Sequence, residues 1–236
     1  MPFPLLEPLQ LGSLQVPATA LIRLLSEQLT SARRRRIAAV VRGRSYAVAT
    51  VLEHLHDAGN VAAVMRSAEA SGFPRMHLIP PPPQPTHGPH AKSATVQSRV
   101  TQGAHKWLDC SVWSDTEACL DAMRKAGYTV WATSPVPTSV AITDLPLPLP
   151  PRLALVFGAE RQGVSEAVLA AADRTVRLPM HGFSQSYNVS VAAALVLHEV
   201  RQRRPAGLTR TQRRTLTASY YARSVPNAAR IAALAL

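Results

Sequence analysis

The chain has 236 residues and a formal charge of +12, from 26 Lys and Arg against 14 Asp and Glu. A 47 % hydrophobic content supplies a sizeable core and excludes a disordered polycation, and charge, Pro or Gly interrupts every apolar run well short of the ~18 residues that a membrane-spanning helix needs. Cys110 and Cys119 are too few for a disulfide framework or a zinc site, and the opening MPFPLLEPLQLGSLQ has no basic n-region, so reduced thiols and a cytoplasmic location are expected.

The charge is concentrated at the ends. Residues 1–50 carry seven Arg against Glu7 and Glu27, residues 199–236 carry eight Arg against Glu199, and residues 51–198 are neutral overall. Lysines are confined to Lys92, Lys106 and Lys125. The planar guanidinium suits two-pronged phosphate contact, so the runs Arg33-Arg34-Arg35-Arg36 and Arg201-Gln-Arg203-Arg204 point to a nucleic-acid partner. The expected organisation is an extension with a basic helix (1–44), a neutral catalytic domain (45–204) and a basic helical tail (205–236).

In chain order, apolar residues at helical spacing (Ile22, Leu25, Leu29, Ile37, Val40) predict one basic amphipathic helix over 19–41. Tyr46 to Leu52 reads as a buried strand, Asn60 to Ser71 as a helix stopped by Gly72, and Met76 to Ile79 as a second strand. Pro80 to Pro89 is a Pro-rich surface loop. A helix over Glu117–Ala126 and a strand over Tyr128–Thr133 precede another Pro-rich connection containing Pro135, Pro146, Pro148, Pro150 and Pro151. Then come a strand over Leu153–Phe157, a helix to Ala172 capped by Ser165, a strand over Thr175–Leu178, and a long helix over Asn188–Arg203. The tail from Thr209 to Leu236 returns to helical spacing. This alternation predicts an α/β fold with a mainly parallel sheet covered on both faces and flanked by basic terminal helices.

Nucleotide-loop chemistry is excluded by detail. Gly158-Ala-Glu-Arg-Gln-Gly163 follows a strand, yet Val164 and Ser165 stand where a phosphate-binding loop needs Lys and then Ser or Thr, and no GxGxxG occurs. No histidine pair has metal-ligand spacing beyond the weak His54-x-His56 beside Asp57, so no metal is expected. Three segments combine polar residues with tight apolar flanks: Asn60 to Gly72 with Arg66, Leu155 to Ser165 with Glu160, and Leu178 to Ala194 with Ser186 and Asn188. Singly, the two Asn could be helix caps, Arg66 a surface charge and Glu160 a turn residue.

Together these segments resemble the three signature motifs of the SPOUT (trefoil-knotted) RNA methyltransferases, in particular the TrmH group of tRNA (guanosine-2′-O)-methyltransferases. Arg33 to Ile37, Gly103-Ala-His-Lys-Trp107, Trp131-Ala-Thr133, Glu199 to Arg203 and Ala206-Gly-Leu208 extend the resemblance over roughly residues 29–208. It implies a C-terminal trefoil knot that holds S-adenosylmethionine (SAM) on three loops containing Thr133, Gly158, and Leu178, Met180 and Tyr187. It further implies Arg66 as the catalytic arginine, with Asn60, Glu160, Ser186 and Asn188 fixing it and the loops by hydrogen bonds. Arg66 would act either as the formal base or as a clamp on phosphate and hydroxyl while phosphate or water takes the proton. Arg33 to Arg36 and Arg201, Arg203 and Arg204 would bind RNA, and the helix of the third motif, rich in small apolar residues, would form a homodimer interface. The implied substrate is tRNA, at the D-loop guanosine conventionally numbered 18; ribosomal RNA methylation and a non-catalytic RNA-binding role are the alternatives. Two departures stand out: His56-Asp-Ala-Gly59 precedes Asn60 where relatives have Pro-His, and Tyr187 replaces the usual Leu.

Overall fold

The computed structural model describes residues 4–82, 103–145 and 147–235. The Pro80–Pro89 loop beyond Pro82, and Lys92, lie outside them. The chain divides into two compact units: residues 46–205, and the described residues of 2–45 with those of 206–236. The N-terminal basic segment and the tail from Ala206 are thus parts of one unit, whereas Arg201, Arg203 and Arg204 belong to the other. No helix among the described residues is long and apolar enough to cross a membrane.

In the unit built from the two ends, a hairpin of β1 (Leu9–Leu11) and β2 (Leu14–Val16) turns at Gly12, whose φ of 60° is the left-handed region that favours glycine. The single helix expected over 19–41 is two helices, α1 (Ala18–Ser26) and α2 (Ser31–Gly43). The break occurs because Thr30 caps α2, its hydroxyl accepting from the Arg33 amide at 3.2 Å. Apolar spacing continued through Leu29 and concealed that boundary. Pro17 offers α1 no cap, and the Glu7 carboxylate takes that role, accepting from the Ala18 amide at 2.7 Å and from the Thr215 hydroxyl at 3.0 Å. Thr215 lies on α7 (Arg210–Ser224), which packs against α1, α2 and α8 (Ala228–Ala235). The core here is Leu21, Leu25, Ile37, Val41, Leu216 and Tyr220, with the buried Arg44 guanidinium 5.9 Å from the Tyr220 ring centroid.

The other unit holds a seven-stranded sheet in which every described pairing is parallel. Its elements are β3 (Val48–Glu53), α3 (Ala58–Ala70), β4 (Arg75–Ile79), β5 (Asp109–Val112), α4 (Thr116–Lys125), β6 (Thr129–Thr133), β7 (Val140–Ala141), β8 (Leu153–Phe157), α5 (Glu166–Ala171), β9 (Arg174–Arg177) and α6 (Val189–Arg203). β5 and β7 are short strands that the sequence pattern did not reveal. The strand order is β5-β4-β3-β8-β6-β9-β7.

Side chains alternate faces along each strand. Val48 and Leu52 of β3, with Leu153, Leu155 and Phe157 of β8, meet Val64, Met65 and Ala68 of α3 and Ala193, Val196, Leu197 and Val200 of α6. Ala49 and Val51, with Ala154 and Val156, meet Cys119, Leu120 and Met123 of α4 and Val168 of α5. A sheet buried on both faces explains why the central strands read as continuous apolar runs.

Candidate active site

The three motifs converge at the carboxyl ends of the central strands. β3 ends at Glu53, and a short connection leads into α3, with His54 at a φ of 55° and Leu55 tucked into the core. The cap of α3 is Asp57 and not Asn60: its Oδ1 accepts from the Asn60 amide at 2.7 Å, so Asn60 sits in the first helical turn. From β8 the chain folds back on itself between Gly158 and Gly163. A Cβ on Gly158 would lie 2.1 Å from the carbonyl carbon of Gly163, and Gly163, at a φ of 72°, donates its amide to the Ala159 carbonyl at 2.9 Å. Side chains are excluded at this crossing, and the fold-back projects Glu160 outward.

A hydrogen-bonded chain of three side chains joins segments that are 100 and 128 residues apart. Asn60 Nδ2 donates to Glu160 Oε1 at 2.8 Å, and Asn188 Nδ2 donates to Asn60 Oδ1 at 3.2 Å. Asn188 Oδ1 in turn caps α6, accepting from the Ser190 amide at 2.8 Å and the Ser190 hydroxyl at 2.6 Å. A carboxylate only accepts, so Glu160 fixes the orientation of the Asn60 amide and, through it, that of Asn188. The backbone amides of His56 and Asp57 also point at Glu160, both at 3.4 Å. Partial burial would raise the Glu160 pKa, but hydrogen bonds from Asn60, from its own backbone and from the His56 and Asp57 amides outweigh that effect and lower it.

These side chains line a cleft of about 610 Å³ bordered by His56, Asp57, Asn60, Glu160, Arg161, Gln162 and Asn188. The resemblance supplied three of them. Asp57 could have been found as the cap of an Asp-x-x-Asn helix start, whereas His56, Arg161 and Gln162 carry no sequence signal of their own.

The other expected residues are placed as follows. Arg66 is exposed on α3 and makes no hydrogen bond or ion pair among the described residues. Six residues beyond Asn60, it stands about 9 Å further along the helix and roughly 120° around it, so it does not line the cleft. Ser186 is exposed and unbonded among the described residues. Thr133 ends β6, its hydroxyl donating to the Val156 carbonyl at 3.0 Å, and Gly158 is buried. Leu178 and Met180 are half-buried, and Tyr187 is 43 % exposed. β8, β6 and β9 are sheet neighbours, so the loops bearing Gly158, Thr133 and Leu178 leave the same edge side by side. In open parallel sheets this edge is where ligands bind.

The arginines divide into two kinds. Arg34 donates to the Ser26 and Leu29 carbonyls at 2.5 and 2.7 Å, closing the end of α1, and Arg33 reaches the Ser224 hydroxyl at 3.3 Å. Arg35 and Arg36 are exposed with no partner among the described residues. Arg203 pairs with Glu199 at 2.6 Å and donates to the Thr143 and Leu145 carbonyls at 2.9 and 3.3 Å. Arg204 donates to the Pro150 carbonyl and, at 3.3 Å, to that of Pro151. Arg201 lies 6.0 Å from the Phe73 ring centroid with its Nη1 buried.

Comparison with known proteins gives the family of the chain. The model of the SpoU rRNA Methylase family matches residues 47–198. The chain belongs to this family. A Thermus thermophilus tRNA (guanosine(18)-2′-O)-methyltransferase is 38 % identical over 180 residues, covering 76 % of this chain and 87 % of its own length. One from Borreliella burgdorferi is 31 % identical over 211 residues, covering 87 % and 92 %. In structure, the Aquifex aeolicus TrmH/SpoU tRNA modifying enzyme superposes with a TM-score of 0.70 over 86 % of this chain and all of that one, at 24 % identity, confirming the α/β architecture.

Proposed function

We propose that this SpoU-family protein is a SAM-dependent tRNA (guanosine-2′-O)-methyltransferase that modifies the D-loop guanosine at position 18 and works in the cytoplasm as a homodimer. The observation that carries the reading is the Asn188–Asn60–Glu160 chain, which unites the three motifs in one cleft of a protein whose relatives at 31–38 % identity bear that activity in their names. A purely structural or RNA-gripping domain has no need of this polar set at an open cleft.

The three neighbouring loops fit the cofactor. They offer backbone polar groups, the half-buried apolar surface of Leu178 and Met180, and the exposed ring of Tyr187. SAM, when bound, supplies an electrophilic sulfonium methyl for in-line displacement by a ribose 2′-hydroxyl. Asn60, Glu160 and Asn188 hold the segments of the first, second and third motifs in register, so that positioning does much of the work. Arg66, exposed and without a partner among the described residues, is placed to meet a substrate phosphate. A guanidinium is very hard to deprotonate, which favours the clamp over the formal base. Ser186 would add its hydroxyl from the third loop.

The homodimer reading rests on α6, where the apolar Val191 and Leu195, one turn apart, are 45 % and 43 % exposed. The trefoil knot rests on the resemblance to the SPOUT motifs, and a strand order with β8 between β3 and β6 and β9 between β6 and β7 is compatible with it. Arg35 and Arg36 are the clearest phosphate contacts.

The test is methyl transfer from radiolabelled SAM to unmodified tRNA and to ribosomal RNA, with the labelled nucleotide mapped. Label at guanosine 18 of tRNA is expected. Label in ribosomal RNA alone would reassign the substrate, and tight RNA binding without label would make the protein a binding factor.

A further inference from the structure

Glu53 is a buried carboxylate that the mechanism above leaves unused. It is 1 % exposed at the end of β3, on the α4/α5 face. Its Oε1 accepts from the Thr116 hydroxyl and the Ser165 hydroxyl, both at 2.7 Å, and its Oε2 accepts from the Ser165 backbone amide at 2.8 Å. Ser165 is the cap of α5 and stands two residues after Gly163, where the loop bearing Glu160 closes; Thr116 opens α4.

The location matters more than the burial. The backbone pairing between β3 and β8 runs from Val48↔Leu153 to Leu52↔Phe157 and stops there. Beyond it the chain leaving β3 leads to Asn60 and the chain leaving β8 leads to Glu160. The Glu53–Ser165 contacts hold these two segments together where the ladder ends, on one face of the sheet, and the Asn60–Glu160 bond holds them on the other. The cofactor loop is therefore pinned at its far end by a side chain from a different strand, β3.

We propose that Glu53 is a positioning residue for the cofactor site, setting the Gly158–Val164 loop through Ser165. The inference rests on the reading of that loop as part of the SAM site. A glutamine at 53 keeps one acceptor oxygen but turns an NH₂ toward donors, and the Ser165 amide cannot rotate to compensate. The consequence is a displaced loop, expressed in cofactor affinity.

The experiment measures SAM affinity by calorimetry, tRNA affinity by filter binding, and KM for SAM against kcat, in the wild type, Glu53→Gln, Ser165→Ala, Thr116→Val and the Glu53→Gln/Ser165→Ala double variant. Glu53→Gln is expected to weaken SAM binding and raise its KM by about tenfold or more, with tRNA affinity and saturated kcat within about threefold of wild type. Ser165→Ala should fall between it and Thr116→Val, and the double variant should match Glu53→Gln alone, because both disrupt one contact. SAM affinity within twofold of wild type in Glu53→Gln, whatever its thermal stability, would reduce the residue to scaffold and overturn the proposal. So would fully additive losses in the double variant. If Glu53→Gln does not fold, the two single partner variants decide: wild-type SAM affinity in both overturns the proposal, and weakening in Ser165→Ala supports it. A wild type that binds no SAM would strike the functional reading itself, a result distinct from a wild type that binds it and a variant that binds it equally well.

Discussion

Arg35 and Arg36 on α2 and Arg203 and Arg204 at the end of α6 look interchangeable in sequence, yet the folded protein treats the two pairs in opposite ways. On α2, Arg35 and Arg36 stand out from the surface with no partner among the described residues. At the end of α6, Arg203 and Arg204 turn inward and donate to four carbonyls of the Thr143–Pro151 connection, clamping that Pro-rich segment to the helix. Desolvation lowers the Arg204 pKa, which marks a guanidinium taken out of water. Net charge therefore overstates the surface offered to a polyanion: what counts is which guanidinium groups the backbone has left unclaimed.

The contrast is sharpest in pH. Buried Arg75 lies beside His77, whose Nδ1 accepts from the Trp113 indole N–H at 2.9 Å. Burial first, and the Arg75 charge second, hold the His77 pKa down from 6.5 to about 4. Between these values the unfolded chain binds a proton that the folded chain refuses, so stability falls as pH drops through this window, by up to ~3 kcal/mol. Urea unfolding at a series of pH values should show this slope, and His77→Asn, which keeps an acceptor for Trp113, should flatten it; an unchanged slope would place the titration elsewhere.

Next in size, Arg204→Ala and Arg203→Ala should each lower unfolding stability by about 1–3 kcal/mol, because partly buried carbonyls lose their donors, while tRNA affinity below the transition stays within about twofold. A large loss of tRNA affinity at unchanged stability would erase the distinction between the two arginine groups. Arg34→Ala should cost about 1 kcal/mol from the frayed end of α1. The double variant Arg35→Ala/Arg36→Ala should change stability least, by no more than ~0.5 kcal/mol, and yet weaken tRNA binding and lower the slope of log affinity against log salt by about 2.

The sequence made the helices and buried strands of the sheet unit legible because their apolar periods are strong and local. α6 began at its predicted cap, and Leu153–Phe157 matched residue for residue. The break between α1 and α2 was hidden because Leu25 and Leu29 keep helical spacing across it, and β7, with two residues, has too little pattern to detect. In the site, Asn60, Glu160 and Asn188 were legible as members of motifs, but the bonds among them join residues about a hundred positions apart. The inward turn of Arg203 and Arg204 was illegible for the same reason, since it depends on where carbonyls from a distant Pro-rich segment come to lie.

The strand order also bears on the chain's emergence from the ribosome. β8 supplies the middle of the sheet, yet it is synthesised after five of its six companions. Until residues 153–157 appear, β3 and β6 each present an unpaired, strongly apolar edge with nothing to lie between them, a state prone to pairing with neighbouring nascent chains. Arrest of translation within the Pro-rich stretch before β8 would hold the chain in that state, and slow passage through it would lengthen the interval in which chaperones must shield those edges.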